Sequence, residues 1–361
     1  MHETFFQTWD LSGLELPNRL VMAPLTRMRA SAEGVMGPLN AEYYAQRASA
    51  GLIISEGTFP HHSGKSYPGQ PGLETPEQIE GWRLVTDAIH GAGGRAFVQV
   101  MHGGRISHER IIPGGLQPVA PSAVRPEGMA RLAGEKLPLP TPRAIETDEI
   151  PVVQEHFATA SANAIEAGFD GVELHSANGY LLHEFLSDVT NLREDDWGGS
   201  VANRVRFVVE TAALCAGRIG AGRVGIRISP GQNVNDISET GAEETYPRLL
   251  EQLESLGLAY VHVMESPPDA GWSAVDLVRG SWNGTLIVNS NFTNEWPPDV
   301  AERALLDGRG DLYCYGRSFI SNPDLVERIR NGSPIAQADP KTFYGGGREG
   351  YTDYPALAEQ A

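Results

Sequence analysis

The segment His175-Ser176-Ala177-Asn178-Gly179-Tyr180 carries three side chains able to act on a single polar atom. It follows the apolar, strand-like run Gly171-Val172-Glu173-Leu174 and precedes Leu181-Leu182-His183-Glu184. His175 and Asn178 are hydrogen-bond donors three positions apart, and the Tyr180 phenol lies two positions further on. Where a strand gives way to a helical turn, residues three apart share a face. His175 and Asn178 are therefore expected to clamp one carbonyl oxygen, with Tyr180 as an acid beside it. The same pattern could serve as a polar cap on the following helix, but its place at the end of a strand favours chemistry.

Such a site needs a rigid scaffold, and the rest of the chain supplies the pattern of one. Short β-like runs recur at 19–22, 52–55, 96–101, 171–175, 224–228, 260–263, 286–288 and 312–315. Helix-like segments or Gly/Pro-rich loops separate them, which predicts an α/β fold: a (β/α)8 TIM barrel. Tyr246, Leu249, Leu250, Leu253 and Leu256 keep a helical period before Gly257. Thr75-Pro76 reads as a cap and first helical position, with Gly91 to Gly94 ending that helix, and Ser200 reads as the cap of a helix burying Val205, Val208, Ala212 and Cys215.

Two stretches fall outside the repeat. Residues 9–17 predict a short hairpin that plugs the bottom of the barrel. The Pro-rich stretch 103–143 is too long for a simple connection after the third strand, and is expected to be an insertion over the barrel mouth. One domain spanning 1–361 accounts for the length, because barrels of about 250 residues absorb insertions.

Barrel enzymes place their chemistry at the carboxyl ends of the strands. Polar residues stand there repeatedly: Pro24-Leu25-Thr26 after the first run, Glu56-Gly57 after the second, Gln99 and His102 closing the third, and His175 closing the fourth. Arg227 lies inside the apolar fifth run, where burying a guanidinium without an anionic partner is costly. It is expected to meet either a ligand or an internal salt bridge. Gly316-Arg317 and Asn289-Ser290-Asn291 occupy the loops where many barrels bind phosphate. No metal is expected: His61-His62 and His102 with His108 lack a neighbouring carboxylate or thiol in a ligand pattern such as HExxH. No GxGxxG follows a strand.

Composition narrows the classes further. Apolar residues make up 41% and charged residues 20%, with a net charge of −18. That charge repels nucleic acid and anionic membranes, and no apolar run of about 18 residues suggests a membrane span. The two cysteines, Cys215 and Cys314, form no CxxC pair and are expected as buried thiols in a reducing compartment. A cytosolic location and a monomer or homodimer are the expectations.

The motifs together resemble those of the old yellow enzyme family of FMN-dependent ene-reductases. The matching segments include Ala23-Pro24-Leu25-Thr26-Arg27, Gln46-Arg47-Ala48-Ser49-Ala50-Gly51, His102-Gly103-Gly104-Arg105, Glu166-Ala167-Gly168-Phe169-Asp170-Gly171 through His175, Gly198-Gly199-Ser200, Tyr315-Gly316-Arg317 and Gly350-Tyr351-Thr352-Asp353-Tyr354-Pro355. They run in order along nearly the whole chain.

The resemblance implies non-covalent FMN lined by Pro24, Leu25, Thr26 and Gly57, with Gln99 at its pyrimidine edge and Arg227 near N1 and O2. Ser290, Asn291, Gly316 and Arg317 would meet its phosphate. NADPH or NADH would reduce it, and a small electrophilic alkene, such as an α,β-unsaturated carbonyl, would accept the hydride. His175 and Asn178 would then hold the carbonyl, Tyr180 would protonate the α-carbon, and Tyr67, Met101 and Tyr351 would shape the pocket.

Two positions depart from the family pattern: Met101 where a Trp is common, and Ser290 where a Gly is common. Reduction of nitro compounds or nitrate esters, or flavin binding without catalysis, are the alternative functions. An α-hydroxy acid oxidase would need a His base and paired arginines instead.

Overall fold

The computed structural model describes residues 2–132, 134–292 and 294–357. Strands β1 (Trp9–Leu11) and β2 (Leu14–Leu16) pair antiparallel, with Trp9 opposite Leu16. Ser12 and Gly13 join them with φ values of 52° and 92°. Two consecutive positive φ values suit a tight hairpin.

The barrel follows as β3 (Leu20–Met22), β4 (Leu52–Ile54) and β5 (Ala96–Val100). The insertion then forms β6 (Val119–Ala120), β7 (Met129–Leu132), β8 (Glu135–Pro138) and β9 (Arg143–Ala144). Here β7 and β8 make an antiparallel hairpin, and β6 pairs with β9. The barrel resumes with β10 (Gly171–Ser176), β11 (Val224–Ile228), β12 (Tyr260–Met264), β13 (Leu286–Asn289) and β14 (Leu312–Tyr315). All eight barrel strands are parallel, and β14 closes the ring onto β3. Every residue in them is buried, as a parallel sheet covered on both faces requires. The fold is thus a (β/α)8 barrel.

The helices are α1 (Pro38–Ala45), α2 (Pro76–Gly91), α3 (Ile150–Glu166), α4 (Leu181–Leu186), α5 (Val201–Ile219), α6 (Ala242–Glu254), α7 (Ala274–Arg279), α8 (Pro298–Leu306), α9 (Arg317–Ser321) and α10 (Leu325–Asn331). Thr75 and Gln78 form a reciprocal capping box at the start of α2, and Ser200 caps α5. Along α6, Tyr246, Leu249, Leu250 and Leu253 are fully buried. Each such side chain contributes roughly 1.5–3 kcal/mol through burial.

The barrel interior has two chemically different halves. Leu11 and Leu16 of the hairpin join Val21, Leu52, Ile54, Phe97, Tyr260, Ile287 and Leu312 in one apolar cluster, so the hairpin plugs the end where the strands begin. The Tyr260 ring fills space that a side chain at position 225 would need: a Cβ on Gly225 would come within 2.2 Å of it. One layer higher, Gln99 is opposite Glu173, His175 opposite Arg227, and Arg227 opposite His262. This buried polar layer is the floor of the site.

Candidate active site

A cavity of about 500 Å³ opens at the carboxyl ends of the strands, within the range of small-molecule sites. Pro24, Leu25 and Thr26 reach it from the loop after β3, Gln99 and Met101 from the end of β5, and His175, Asn178 and Tyr180 from β10 and its loop. Tyr67 and Arg317 also line it. Ten of the residues singled out in the sequence therefore share one wall-to-wall space.

The turn after β10 is not helical. The strand continues to Ser176, and Asn178 and Gly179 take φ values of 57° and 76° before Tyr180 caps α4. Asparagine tolerates this left-handed conformation. A Cβ on Gly179 would come within 2.9 Å of the Val234 carbonyl oxygen, so the turn needs glycine. The Asn178 N–H donates to Ser229 Oγ at 2.9 Å, and its carbonyl accepts from Asn235 Nδ2 at 2.8 Å.

These bonds hold the backbone of the turn and leave the acting side chains uncommitted. Among the described residues, His175 Nδ1 and Asn178 Oδ1 are buried without a protein partner, and an amide can present either end to a ligand. Burial, and then the neighbouring Arg227, His183 and His262, hold the His175 imidazole well below its ordinary pKa. It is a neutral ring. Tyr180 lies beside it, ring centroids 5.0 Å apart. Burial raises the Tyr180 phenol above its usual pKa, while hydrogen bonds from Tyr67 and Asn235 oppose the rise. Tyr180 therefore carries its proton at neutral pH. The Tyr67 hydroxyl is 2.5 Å from it.

Arg227 lies in the floor, and its partners were not foreseen. Nη1 is 2.5 Å from His262 Nε2, and Nη2 donates to Asn289 Oδ1 at 2.7 Å. His262 Nδ1 is 2.8 Å from Glu173 Oε2, and Gln99 Nε2 donates to Glu173 Oε1 at 2.8 Å. Burial, reinforced by Arg227, pushes His262 down to about 4; a neutral imidazole fits the chain, accepting from Arg227 and donating to Glu173. Burial works against ionisation of Glu173, but His262, Arg227 and Gln99 together hold its carboxyl below the usual value. The cation and the carboxylate thus balance across a neutral ring. The sequence signal was a polar residue on the inward face of each of three neighbouring apolar strands.

Beside Arg317, backbone donors just outside the cavity lining hold a carboxylate. Glu295 Oε1 accepts the Gly316 N–H at 2.6 Å, and Oε2 accepts the Ser318 N–H at 3.2 Å. Arg317 lines the cavity next to these donors. Ser290 is buried, and Asn291 Oδ1 accepts the Asn294 N–H at 3.0 Å. Gly57 lies behind the wall: a Cβ there would come within 2.7 Å of Met101 Sδ, so its smallness makes room for Met101.

Tyr351 is the correction among the pocket residues. It is fully buried away from the cavity, its ring stacked on Tyr43 at 4.0 Å and its hydroxyl accepting from Asn40 at 3.1 Å. Phe343 and Tyr344, from the same Gly-rich segment, line the cavity instead. Arg27 fixes that segment by donating to the carbonyls of Phe343 at 2.9 Å and Gly350 at 2.7 Å. Glu56 in turn accepts the N–H groups of Arg27 at 3.0 Å and Met28 at 3.2 Å. Gly128, Ala130, Arg131 and Leu139 of the insertion complete the mouth.

These residues fit a flavin mononucleotide. Pro24, Leu25 and Met101 offer flat apolar contact, Thr26 and Gln99 offer polar groups for a ring edge, and the donors around Gly316 already hold one negative charge. Fold and site together describe a flavin-binding barrel oxidoreductase.

Comparison with known proteins agrees. The model of the NADH:flavin oxidoreductase / NADH oxidase family matches residues 4–335. The chain is 38% identical to 12-oxophytodienoate reductase 7 of Oryza sativa subsp. japonica, covering 98% of this chain and 95% of the relative. It is 38% identical to a probable flavin mononucleotide-dependent alkene reductase of Leishmania infantum, covering 96% of each. The solved structure of morphinone reductase in complex with tetrahydroNAD superposes with a TM-score of 0.92 at 42% identity, covering 98% of this chain and 97% of that one. That of an old yellow enzyme homologue from Zymomonas mobilis gives 0.94 at 36% identity, covering 98% and 100%. The chain belongs to the NADH:flavin oxidoreductase / NADH oxidase family, the old yellow enzymes. It is an NAD(P)H-dependent flavin oxidoreductase whose cofactor is FMN. No helix among the described residues is long and apolar enough to cross a membrane.

Proposed function

We propose that this enzyme reduces the activated C=C bond of small α,β-unsaturated carbonyl compounds. The observation that carries the reading is the pair of buried, unpartnered polar groups on His175 and Asn178 beside a protonated Tyr180. FMN, when bound, relays a hydride from NAD(P)H to the alkene. His175 and Asn178 donate to the substrate carbonyl oxygen, and the negative charge that develops there is stabilised by donors already in place. Withdrawing charge toward that oxygen makes the β-carbon electrophilic. The Tyr180 hydroxyl then supplies a proton to the α-carbon. Tyr67, donating to Tyr180, stabilises the phenolate that proton transfer leaves behind. The relatives named as reductases of 12-oxophytodienoate and of alkenes support this substrate class.

The test is an anaerobic visible spectrum of the FMN-loaded protein. NADPH is expected to bleach the flavin band, and 2-cyclohexenone to restore it. A flavin that stays reduced after the enone is added would show that the oxidant is of another class, such as a nitro compound.

A further inference from the structure

Outside the cavity, the loop after β4 carries His61 and His62 into the short turn His62–Gly64. In the sequence these histidines have no carboxylate nearby, but the fold brings one. Glu74, just before α2, places Oε1 2.8 Å from His62 Nδ1 and 3.4 Å from His61 Nε2. One nitrogen of each ring and one carboxylate oxygen all lie within 4.8 Å of one another. We propose that His61, His62 and Glu74 form a binding site for a borderline transition-metal dication such as Zn²⁺.

The donor set selects the ion. Two imidazole nitrogens and one carboxylate oxygen suit Zn²⁺, Cu²⁺ or Ni²⁺, whereas Mg²⁺ and Ca²⁺ favour oxygen alone. Bonds of about 2.0–2.2 Å to a tetrahedral ion place its ligands roughly 3.3–3.5 Å apart. The two separations to Glu74, 2.8 and 3.4 Å, lie near that spacing, and the two ring nitrogens, within 4.8 Å of each other, would close onto an ion by ring rotation.

Two of the ligands, His61 and Glu74, are also held by a second contact, as metal ligands are. His61 Nδ1 is 2.9 Å from Ser63 Oγ, and the His61 ring stacks on His156 of α3 at 3.9 Å and 7°. The His62 N–H donates to Glu74 Oε2 at 2.7 Å, which turns Oε1 toward both rings. The three side chains are 26%, 37% and 27% exposed, so an ion can arrive from solvent and keep a water as fourth ligand. None of the three lines the flavin cavity.

The experiment is a calorimetric titration of the FMN-loaded enzyme with Zn²⁺, repeated on His62→Gln and Glu74→Gln. The expected result is one equivalent bound per chain, and at least tenfold weaker binding in both variants with unchanged flavin content. Failure of the parent to bind, or equal binding by folded variants, overturns the site. Should the variants lose flavin, the Cu²⁺ electron paramagnetic resonance spectrum of the unaltered enzyme at one equivalent decides. Coupling to two imidazole nitrogens supports the site, and its absence rejects it.

Discussion

The Tyr67 hydroxyl lies 2.5 Å from the Tyr180 hydroxyl, and the two phenols respond to that contact in opposite ways. Burial drives Tyr67 well above its usual pKa and its bond to Tyr180 pushes it further, while the same bond lowers Tyr180. Either hydroxyl can donate in this contact; the proposed role needs Tyr67 to donate, which leaves the Tyr180 proton free for the substrate. Replacing Tyr180 with Phe is expected to slow reoxidation by 2-cyclohexenone roughly 10²- to 10⁴-fold, the usual worth of a general acid, and to spare reduction by NADPH. Tyr67→Phe removes a hydrogen bond to the developing phenolate, about 1.5–3 kcal/mol when the charge is fully formed, and should slow the same step around tenfold. Stopped-flow traces of the two half-reactions separate these effects; equal losses in both would remove Tyr180 from the acid role.

A phenol is expected to place its oxygen where the substrate carbonyl would lie, so it probes the clamp without turnover. Changing His175 and Asn178 together to Ala should weaken p-hydroxybenzaldehyde binding at least tenfold. The physical basis is the loss of bonds to an anionic oxygen, each worth about 1.5–3 kcal/mol. Titration followed by long-wavelength absorbance measures it, and an unchanged affinity argues against the clamp.

Glu295 is expected to compete with the FMN phosphate. Its carboxylate accepts the N–H groups of Gly316 and Ser318, and a phosphate drawn to the same donors must displace it. Glu295→Gln keeps the shape and removes the charge. It is expected to tighten FMN binding about tenfold, equivalent to about 1.4 kcal/mol, as read from quenching of flavin fluorescence by the apoprotein. An affinity equal to the parent's would mean the phosphate binds elsewhere.

Glu184 gives the fold a dependence on pH. It is fully buried, and burial pushes its carboxyl up to about 8 despite the nearby Arg105. The folded chain keeps a proton that the unfolded chain releases near pH ~4.3. This contribution to stability is complete below that pH and is lost as the pH rises toward 8. Against Glu184→Gln, the parent should lose stability on the order of 1.4 kcal/mol per pH unit across the window. Urea unfolding at pH 5, 6 and 7 measures the difference, and a difference independent of pH would place the Glu184 proton elsewhere.

The eight strands were legible because each is a short apolar run bounded by turn residues, and the caps Thr75 and Ser200 because capping is local. His175, Asn178 and Tyr180 stood out because a strand end limits where their side chains can go. Glu173 and His262 did not, and Asn289 was read only as part of a phosphate loop, since their value lies in meeting Arg227 across three strands, and register is not written in any one of them. Glu74 and Glu295 escaped for a related reason: each acts on residues 12 or more positions away. Tyr351 and Tyr344 lie in a Gly-rich segment without period, where sequence offers nothing to tell the buried ring from the one at the mouth.

The Arg27 bond to the Gly350 carbonyl joins positions 323 residues apart. During synthesis, β14 is complete by residue 315, so the barrel can close before the segment carrying Phe343 and Tyr344 has left the ribosome. Until that segment arrives Arg27 has only the ring of Tyr43 beside it; Tyr351, one residue past Gly350, brings the second ring. The wall of the pocket carrying Phe343 and Tyr344 is thus contributed by a segment that follows all eight barrel strands in the chain.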